Sequence, residues 1–270
     1  MKIAEDKQEK LRKFYETSRD YKKLLDAHNR EYLKPYIDIV LKYARPGSKI
    51  LDSGCGNGLS SYMLNEKGHW VVGTDISAFF LSEAAQLQSE NLKYQACDVL
   101  ALPFNDKSFD VVCSNELIEH VTNAGKTLTE MIRVLKNGGL LIIMGPNLCS
   151  PFWAVVDFIN MTAGKNGRHV WAESRIQALK WGTKNLGLSM KKKLSSKSCF
   201  IYREPDLEKA IMGGDSDSVY YSCPTDIELF LKANDMEIIS LCESTTSRGR
   251  FLARFFPRFS PYISMVARKL

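Results

Sequence analysis

A chain of 270 residues with 44% hydrophobic residues and a formal net charge of +6 can form one domain with a buried core, or one domain with a substantial insertion. Its first residues are charged and contain no apolar stretch, so we expect no secretory signal and a cytoplasmic protein. Prolines, an asparagine and an aspartate interrupt the longest apolar region, residues 140–159, so we expect no transmembrane helix. Seven scattered cysteines without a CxxC pair argue against a cysteine metal or redox site.

The N-terminal segment, residues 1–47, predicts a helical cap. Apolar side chains recur at helical spacing from Leu11 to Leu41, which indicates two or three amphipathic helices with a break near Pro35. An arginine-proline-glycine turn at 45–47 ends this region.

Short apolar runs then alternate with helical patterns over residues 48–150. Strands are predicted at 48–54, 69–77, 92–99, 109–115 and 138–147, and helices at 59–68, 78–91 and 117–136. Strands that alternate with helices imply right-handed crossovers. The sequence therefore predicts an α/β fold with a doubly wound, mostly parallel sheet.

The regular pattern is lost over residues 151–224 and returns at 225–270. The first of these segments mixes aromatic residues, basic runs and glycines, which predicts an insertion or lid on the acceptor side. The second predicts a helix at 225–235 and strands at 236–244 and 261–270, which complete the core sheet.

A glycine-rich turn follows the first predicted strand, in the sequence ILDSGCGNGLSS at 50–61. Glycines at 54, 56 and 58 let bare backbone approach a ligand and direct amide donors towards it. Asp75 ends the next predicted strand, where a carboxylate can accept hydrogen bonds from both ribose hydroxyls. Glycines and acid together indicate a nucleoside ligand without specifying which one.

Two further features narrow the choice. Asp98 ends the third predicted strand, where its carboxylate can accept a hydrogen bond from an adenine amino group, and a KNGG turn precedes the fifth strand. In motif order and spacing, residues 50–58, 71–75, 97–114 and 134–146 resemble the class I S-adenosylmethionine-dependent methyltransferases. The resemblance covers over a third of the chain.

The resemblance implies a Rossmann-like sheet of seven strands with an antiparallel last strand, and S-adenosylmethionine as cofactor. Residues 54–56 should pass beneath its amino-acid portion, 75–76 hold ribose and adenine, 98–99 bracket the adenine, and Asn115 lie beside the methionine moiety. Each position alone also fits a turn, a helix cap or a loop, but their joint order favours binding. The cofactor-binding residues expected from the resemblance are Asp52, Gly54, Cys55, Gly56, Asp75, Ile76, Asp98, Val99, Asn115 and Glu116.

Methyl transfer from a sulfonium is an in-line displacement, so a catalytic base is needed only if the acceptor is a hydroxyl. Glu116, Glu119 and His120 have i, i+3, i+4 spacing and on a helix would share one face. This ExxEH stretch resembles one that helps bind a metal in ubiquinone-pathway and small-RNA 2′-O-methyltransferases. Such residues also occur as caps and ion pairs. We predict His120 and Glu119 as catalytic residues and no resident metal ion.

Other sequence features bear on the acceptor. The proline-proline-aromatic motif of enzymes that methylate base or glutamine nitrogens is absent after the fourth strand, and no RNA-binding appendage is recognisable, so a nucleic-acid partner is not expected. Arginines and phenylalanines interleave at 248–262, which suits either an anionic membrane surface or packing beneath the sheet. The segment 152–161 fits either an apolar acceptor pocket or a core helix.

These observations predict a methyltransferase that acts on a small-molecule or lipid-linked acceptor, such as a glycolipid or polysaccharide precursor. The expected reaction is O-methylation, and peripheral contact with a membrane is a further expectation. Two alternatives stay open. Glycines with a strand-end acid also suit a nicotinamide-dependent oxidoreductase, and the same fold occurs in non-catalytic scaffolds. The sequence predicts no particular oligomeric state.

Overall fold

A computed structural model describes residues 2–163, 172, 174–210, 216–245 and 247–270. Its strands form one seven-stranded sheet in the order β3-β2-β1-β4-β5-β7-β6. The strands are β1 (Lys49–Ser53), β2 (Trp70–Asp75), β3 (Leu92–Ala96), β4 (Phe109–Asn115), β5 (Leu135–Pro146), β6 (Met236–Ser240) and β7 (Tyr262–Lys269). The first five pair in parallel, and β7 lies antiparallel to both β5 and β6. The predicted mostly parallel sheet of seven strands with an antiparallel last strand is confirmed.

Helices cover both faces of the sheet, with further helices at its carboxyl edge. They are α1 (Lys2–Thr17), α2 (Arg19–Asp26), α3 (Arg30–Tyr43), α4 (Leu59–Asn65), α5 (Ala124–Val134), α6 (Pro151–Thr162), α7 (Arg175–Lys193), α8 (Leu207–Ala210), α9 (Pro224–Lys232) and α10 (Ser247–Phe255). In the part of the chain that the structure describes, none of them is long and apolar enough to cross a membrane.

The core lies on the two faces of the sheet, which explains why the central strands are apolar throughout. Ile50 of β1 packs with α3 and α4 on one face, and its neighbour Leu51 packs with α5 and α9 on the other. Both side chains are fully buried. Burial of each such side chain stabilises the fold by about 1.5–3 kcal/mol.

Strand order reverses between β2-β1 and β4-β5, because the chain crosses from β3 at one edge of the sheet to β4 beside β1. A crevice opens at such a switch point, outside the carboxyl ends of the strands. The predicted site residues at the ends of β1, β2, β3 and β4 therefore converge on one edge.

Three local predictions were wrong. Residues 78–91 form short 3-10 helices at Phe80–Ser82 and Ala84–Leu87 instead of an α-helix, since Phe80 turns inward to pack with Tyr15 of α1. The stretch before α5 is no α-helix either, as only Ile118–His120 forms a 3-10 turn. The third concerns Pro35, which does not break α3. Near the N-terminal end of a helix, proline removes a single backbone hydrogen bond.

The segment predicted as an insertion contains more regular structure than its pattern indicated. Helices α6 and α7 pack against each other, and the apolar stretch at 152–161 forms most of α6. Residues 164–171, 173 and 211–215 of the predicted insertion lie outside the described residues.

Candidate functional site

A cavity of about 670 Å³ opens at the carboxyl ends of the parallel strands. This volume lies within the range of pockets that hold small molecules and cofactors. The glycine turn, Asp75, Asp98 and His120 form its wall on the sheet side, and side chains of α1, α2 and α3 cover it from the other side. The N-terminal helices are therefore part of the site.

The glycine turn after β1 depends on backbone conformations that favour glycine. Gly54, Gly56 and Gly58 have φ values of 70°, 56° and 81°. A Cβ atom on Gly54 would lie 2.8 Å from the Leu117 side chain, and one on Gly58 would lie 2.5 Å from Ala84. Larger residues at Gly54 and Gly58 would clash with these side chains, and the φ values of all three positions favour glycine, so this turn depends on its glycines.

Asp75 is joined to the glycine turn. One of its carboxylate oxygens accepts a hydrogen bond from the Gly56 N–H at 2.9 Å, and the other accepts one from the Ser77 N–H at 3.0 Å. Burial raises the pKa of Asp75 to about 6, although these hydrogen bonds oppose the shift. A ligand that donates hydrogen bonds to this carboxylate would favour its charged form.

Asp52 has a different environment, because three hydroxyl groups already donate to it. The Tyr36 hydroxyl lies 2.7 Å from one carboxylate oxygen, and the hydroxyls of Ser60 and Ser61 lie 2.6 and 2.7 Å from the other. Burial raises the pKa of Asp52, and the three donors oppose that rise. Asp52 thus ties α3 and α4 to β1 beneath the glycine turn.

Cys55 lies within the turn and contributes to the cavity wall. Burial raises the pKa of its thiol well above the usual value, so the thiol stays protonated. Its backbone N–H donates to the Thr74 carbonyl at 2.9 Å, beside the 2.7 Å bond from the Gly54 N–H to the same oxygen. These bonds hold the turn against the end of β2.

Asp98 binds helix α1 as well as its own turn. Its carboxylate accepts hydrogen bonds from the Gln8 side-chain amide at 2.9 Å and from the Leu100 N–H at 2.8 Å. Gln8 in turn accepts a hydrogen bond from the Thr122 hydroxyl at 2.5 Å. Since carboxylate oxygens carry several lone pairs, Asp98 can accept another donor from the cavity. Beside it, Val99 also lines the cavity.

Asn115 and Glu116 lie where β4 ends, and both line the cavity. Glu116 has a φ of 51°, a left-handed conformation that is uncommon for residues other than glycine. The Tyr32 hydroxyl of α3 donates to the Glu116 carboxylate at 2.7 Å. Because Glu116 is left-handed, the ExxEH stretch does not form one helix. Glu116 therefore does not share the helical face that was predicted for it with Glu119 and His120.

His120 faces the cavity, whereas the adjacent Glu119 side chain is fully buried and packs against Gly145. The His120 Nε2 lies 3.7 Å from a Glu119 oxygen, and its Nδ1 lies 3.2 Å from an oxygen of Asp217. In the described part of the chain, no group of three or more histidine, cysteine, aspartate and glutamate side chains is arranged to hold a metal ion.

Sequence reasoning missed polar residues that contact this site, among them the four residues Gln8, Tyr15, Tyr32 and Asp217. Three lie on the N-terminal helices, where their spacing indicated only amphipathic faces. The fourth lies in the predicted insertion, which showed no sustained pattern. No local signal in the sequence connects them with the glycine turn.

Comparison with known proteins identifies the core. Residues 51–143 match the family model described as the methyltransferase domain. In this segment the chain is similar to the class I S-adenosylmethionine-dependent methyltransferases. The matches do not support the oxidoreductase and scaffold alternatives.

Two relatives indicate the extent of this likeness. The chain is 38% identical over 105 residues to a malonyl-[acyl-carrier protein] O-methyltransferase of Erwinia pyrifoliae, which covers 38% of this chain and 40% of that protein. It is 34% identical over 144 residues to a ubiquinone biosynthesis O-methyltransferase of Coxiella burnetii, which covers 49% and 59% of the two chains. The chain therefore spans about two fifths to three fifths of the length of these relatives.

The likeness in fold extends further than the likeness in sequence. A solved structure of an S-adenosylmethionine-dependent methyltransferase from Mesorhizobium loti matches with a TM-score of 0.57 at 17% identity, covering 91% of this chain and all of that one. The likeness in fold thus extends over most of the chain, where the likeness in sequence covers only part of it.

The Asp75 carboxylate predicts a pH-dependent affinity for S-adenosylhomocysteine. If the ribose hydroxyls donate to this carboxylate, the ligand binds the ionised form, and protonation competes with binding below the pKa of about 6. The Kd measured by calorimetry should be constant above about pH 7 and rise towards about tenfold per pH unit below pH 6.

Asp75→Asn is the matched control for this titration. It should weaken binding at about pH 7 and above, where the wild-type carboxylate is ionised, and remove the added dependence between about pH 5 and pH 7. A wild-type Kd that does not change across that interval would contradict the assignment of Asp75 to the ribose.

Proposed function

We propose that the chain transfers a methyl group from S-adenosylmethionine to an oxygen of a small-molecule or lipid-linked acceptor. The observation that carries this proposal is one cavity lined by the glycine turn, the Asp75 carboxylate and the His120 imidazole. Together they offer a cradle for a nucleoside and a proton acceptor within the same cavity.

The cofactor-binding residues divide by the chemistry of their exposed groups. Asp75 would accept hydrogen bonds from the ribose hydroxyls, and Asp98 one from the adenine amino group, with Ile76 and Val99 providing apolar contact. The turn at Gly54, Cys55 and Gly56 would lie along the amino-acid portion through its backbone. Asn115 and Glu116, at the end of β4, would border the same portion.

Asp52 would support cofactor binding indirectly, by holding the glycine turn in place. Its carboxylate already accepts three hydrogen bonds, which fix α4 and the turn relative to β1. Preorganised backbone lowers the entropic cost of binding, because fewer residues must be ordered when the ligand arrives.

His120 is the base in this proposal. When bound, S-adenosylmethionine would supply a methyl group on a cationic sulfur, which an acceptor oxygen can attack in line while the carbon–sulfur bond breaks and neutral S-adenosylhomocysteine leaves. The acceptor hydroxyl loses its proton to the His120 Nε2 as the bond to carbon forms. The buried Glu119 carboxylate, 3.7 Å from Nε2, would stabilise the resulting imidazolium without contacting the acceptor.

An apolar and basic surface supports a lipid-linked acceptor. Exposed apolar side chains lie on α6, α7 and α10, and α7 and α10 also carry basic residues. The one acidic residue of these three helices, Asp157, is fully buried. The exposed apolar residues of this membrane face are Val155, Val156, Ile159, Ile176, Leu179, Leu186, Met190, Phe251 and Phe255, with Phe256 directly after α10. Their exposure argues against packing of these phenylalanines beneath the sheet.

The membrane face connects with the cavity through aromatic contacts. Phe152 of α6 lies 6.1 Å from Phe256, measured between ring centroids, and Trp153 lies 5.4 Å from Tyr262. Both Trp153 and Tyr262 line the cavity. An acceptor anchored in an anionic membrane could therefore enter the cavity beside these two rings, with the chain bound peripherally at the cytoplasmic side.

Transfer of tritiated methyl groups tests the proposed reaction. Purified protein with methyl-labelled S-adenosylmethionine should label a component of bacterial lipid or metabolite extracts that carries the methyl on oxygen. Asp75→Ala should abolish labelling through loss of the cofactor, and His120→Gln should slow it about 10²- to 10⁴-fold. Labelling that persists unchanged in His120→Gln would contradict the role of the base.

Vesicle sedimentation tests the membrane face. The chain should bind vesicles containing phosphatidylglycerol more tightly than pure phosphatidylcholine vesicles, because each basic residue near an anionic surface contributes about 1 kcal/mol. The double substitution Phe251→Ser, Phe255→Ser should weaken binding about tenfold or more by removing apolar contacts.

Leu87→Ser is the matched control for this experiment, since Leu87 is 51% exposed, close to the 58% of Phe251 and 57% of Phe255, but lies outside the membrane face. It should leave vesicle binding unchanged. Equal binding by the double variant and the wild type would contradict membrane contact through α10.

A further inference from the structure

A buried carboxylate of the predicted insertion lies beside the proposed base. Asp217 is fully buried, and its Oδ2 atom lies 3.2 Å from the His120 Nδ1. The same oxygen accepts a hydrogen bond of 2.8 Å from the Tyr15 hydroxyl of α1. One carboxylate thus links the end of the core sheet, the insertion and the N-terminal cap.

The backbone holds Asp217 and His120 in a fixed relation. The carbonyl of Glu119 accepts hydrogen bonds from the N–H groups of Val219, at 2.7 Å, and Tyr220, at 2.9 Å. Val219 and Tyr220, which follow Asp217 closely in the chain, are therefore hydrogen-bonded to the residue directly before His120. Val219 also packs in the same apolar cluster as Tyr15.

Tyr15 acts as a neutral donor in this arrangement. Burial, followed by the nearby Asp217 charge, raises the pKa of its hydroxyl well above the usual value. The phenol therefore stays protonated and donates a hydrogen bond to Asp217. A buried carboxylate without a hydrogen-bond donor would destabilise the fold. The hydrogen bond from Tyr15 therefore stabilises the Asp217 carboxylate beside the His120 ring.

We propose that Asp217 is a positioning residue, which holds His120 in the tautomer with its proton on Nδ1 and leaves Nε2 as the proton acceptor in the cavity. The catalytic meaning of this inference rests on the proposed methyl transfer to oxygen. A second hydrogen bond to the other ring nitrogen selects the tautomer of a histidine. The His120 Nδ1 lies 3.2 Å from the Asp217 carboxylate but makes no hydrogen bond in this structure. Catalytic hydrogen bonds are often incompletely formed before substrate binds.

The two carboxylates beside His120, those of Asp217 and Glu119, lie next to different ring nitrogens. Asp217 lies closer to the ring, at Nδ1, and Glu119 lies 3.7 Å from Nε2. The neutral ring would carry its proton on the Asp217 side, and the proton taken from the acceptor would arrive on the side of the cavity and Glu119.

Long-range ¹H–¹⁵N NMR of the histidine rings tests the tautomer without any acceptor. The chain has four histidines, so loss of one set of signals in His120→Gln assigns that residue. Wild-type His120 should show the Nδ1–H tautomer, Asp217→Asn should shift the population towards Nε2–H, and Asp217→Glu should restore the wild-type pattern.

Asp157→Asn is the matched control, as Asp157 is another fully buried carboxylate, in α6, that accepts a hydrogen bond from the Ala172 N–H. It should leave the His120 signals unchanged. A wild-type Nε2–H tautomer, or an Asp217→Asn spectrum identical to the wild type, would overturn the proposal.

A second measurement separates this inference from the proposed function. In the methyl-labelling assay, Asp217→Asn should lower the rate about 100-fold or more while the Kd for S-adenosylhomocysteine stays within about twofold. Absence of labelling by the wild type, together with the expected tautomers, would contradict methyl transfer and leave the positioning role intact.

Discussion

The buried carboxylate of Asp52 is the interaction on which the arrangement of this site depends. It accepts hydrogen bonds from Tyr36 of α3 and from Ser60 and Ser61 of α4, at 2.6 to 2.7 Å. A buried charge is tolerated only when such donors replace water. Because Asp52 precedes the glycine turn by two residues, these bonds hold the turn, α3 and α4 in one geometry. Loss of the carboxylate would leave three buried hydroxyls to find new partners.

The N-terminal helices complete the cavity through polar contacts with its wall. Gln8 binds Asp98, Tyr15 binds Asp217, and Tyr32 binds Glu116. Each contact joins the cap to a different element at the carboxyl edge of the sheet. The cap therefore forms part of the cavity wall and is held there by these three hydrogen bonds.

The sequence predicted what depends on local pattern. The strands, the glycine turn and the position of Asp75 follow from residue spacing over a few positions. Tyr15 and Asp217 are separated by 202 residues, and no local pattern encodes a contact over that distance. The helix expected at 78–91 failed for a related reason, because packing of Phe80 against α1 overrides the local helical pattern.

The central claim is that the cavity at the carboxyl edge holds S-adenosylmethionine. Titration calorimetry of the wild type with S-adenosylhomocysteine, and separately with NADH, tests it most directly. We expect one molecule of S-adenosylhomocysteine to bind per chain and NADH to give no heat of binding. Binding of NADH without S-adenosylhomocysteine would contradict this account of the site.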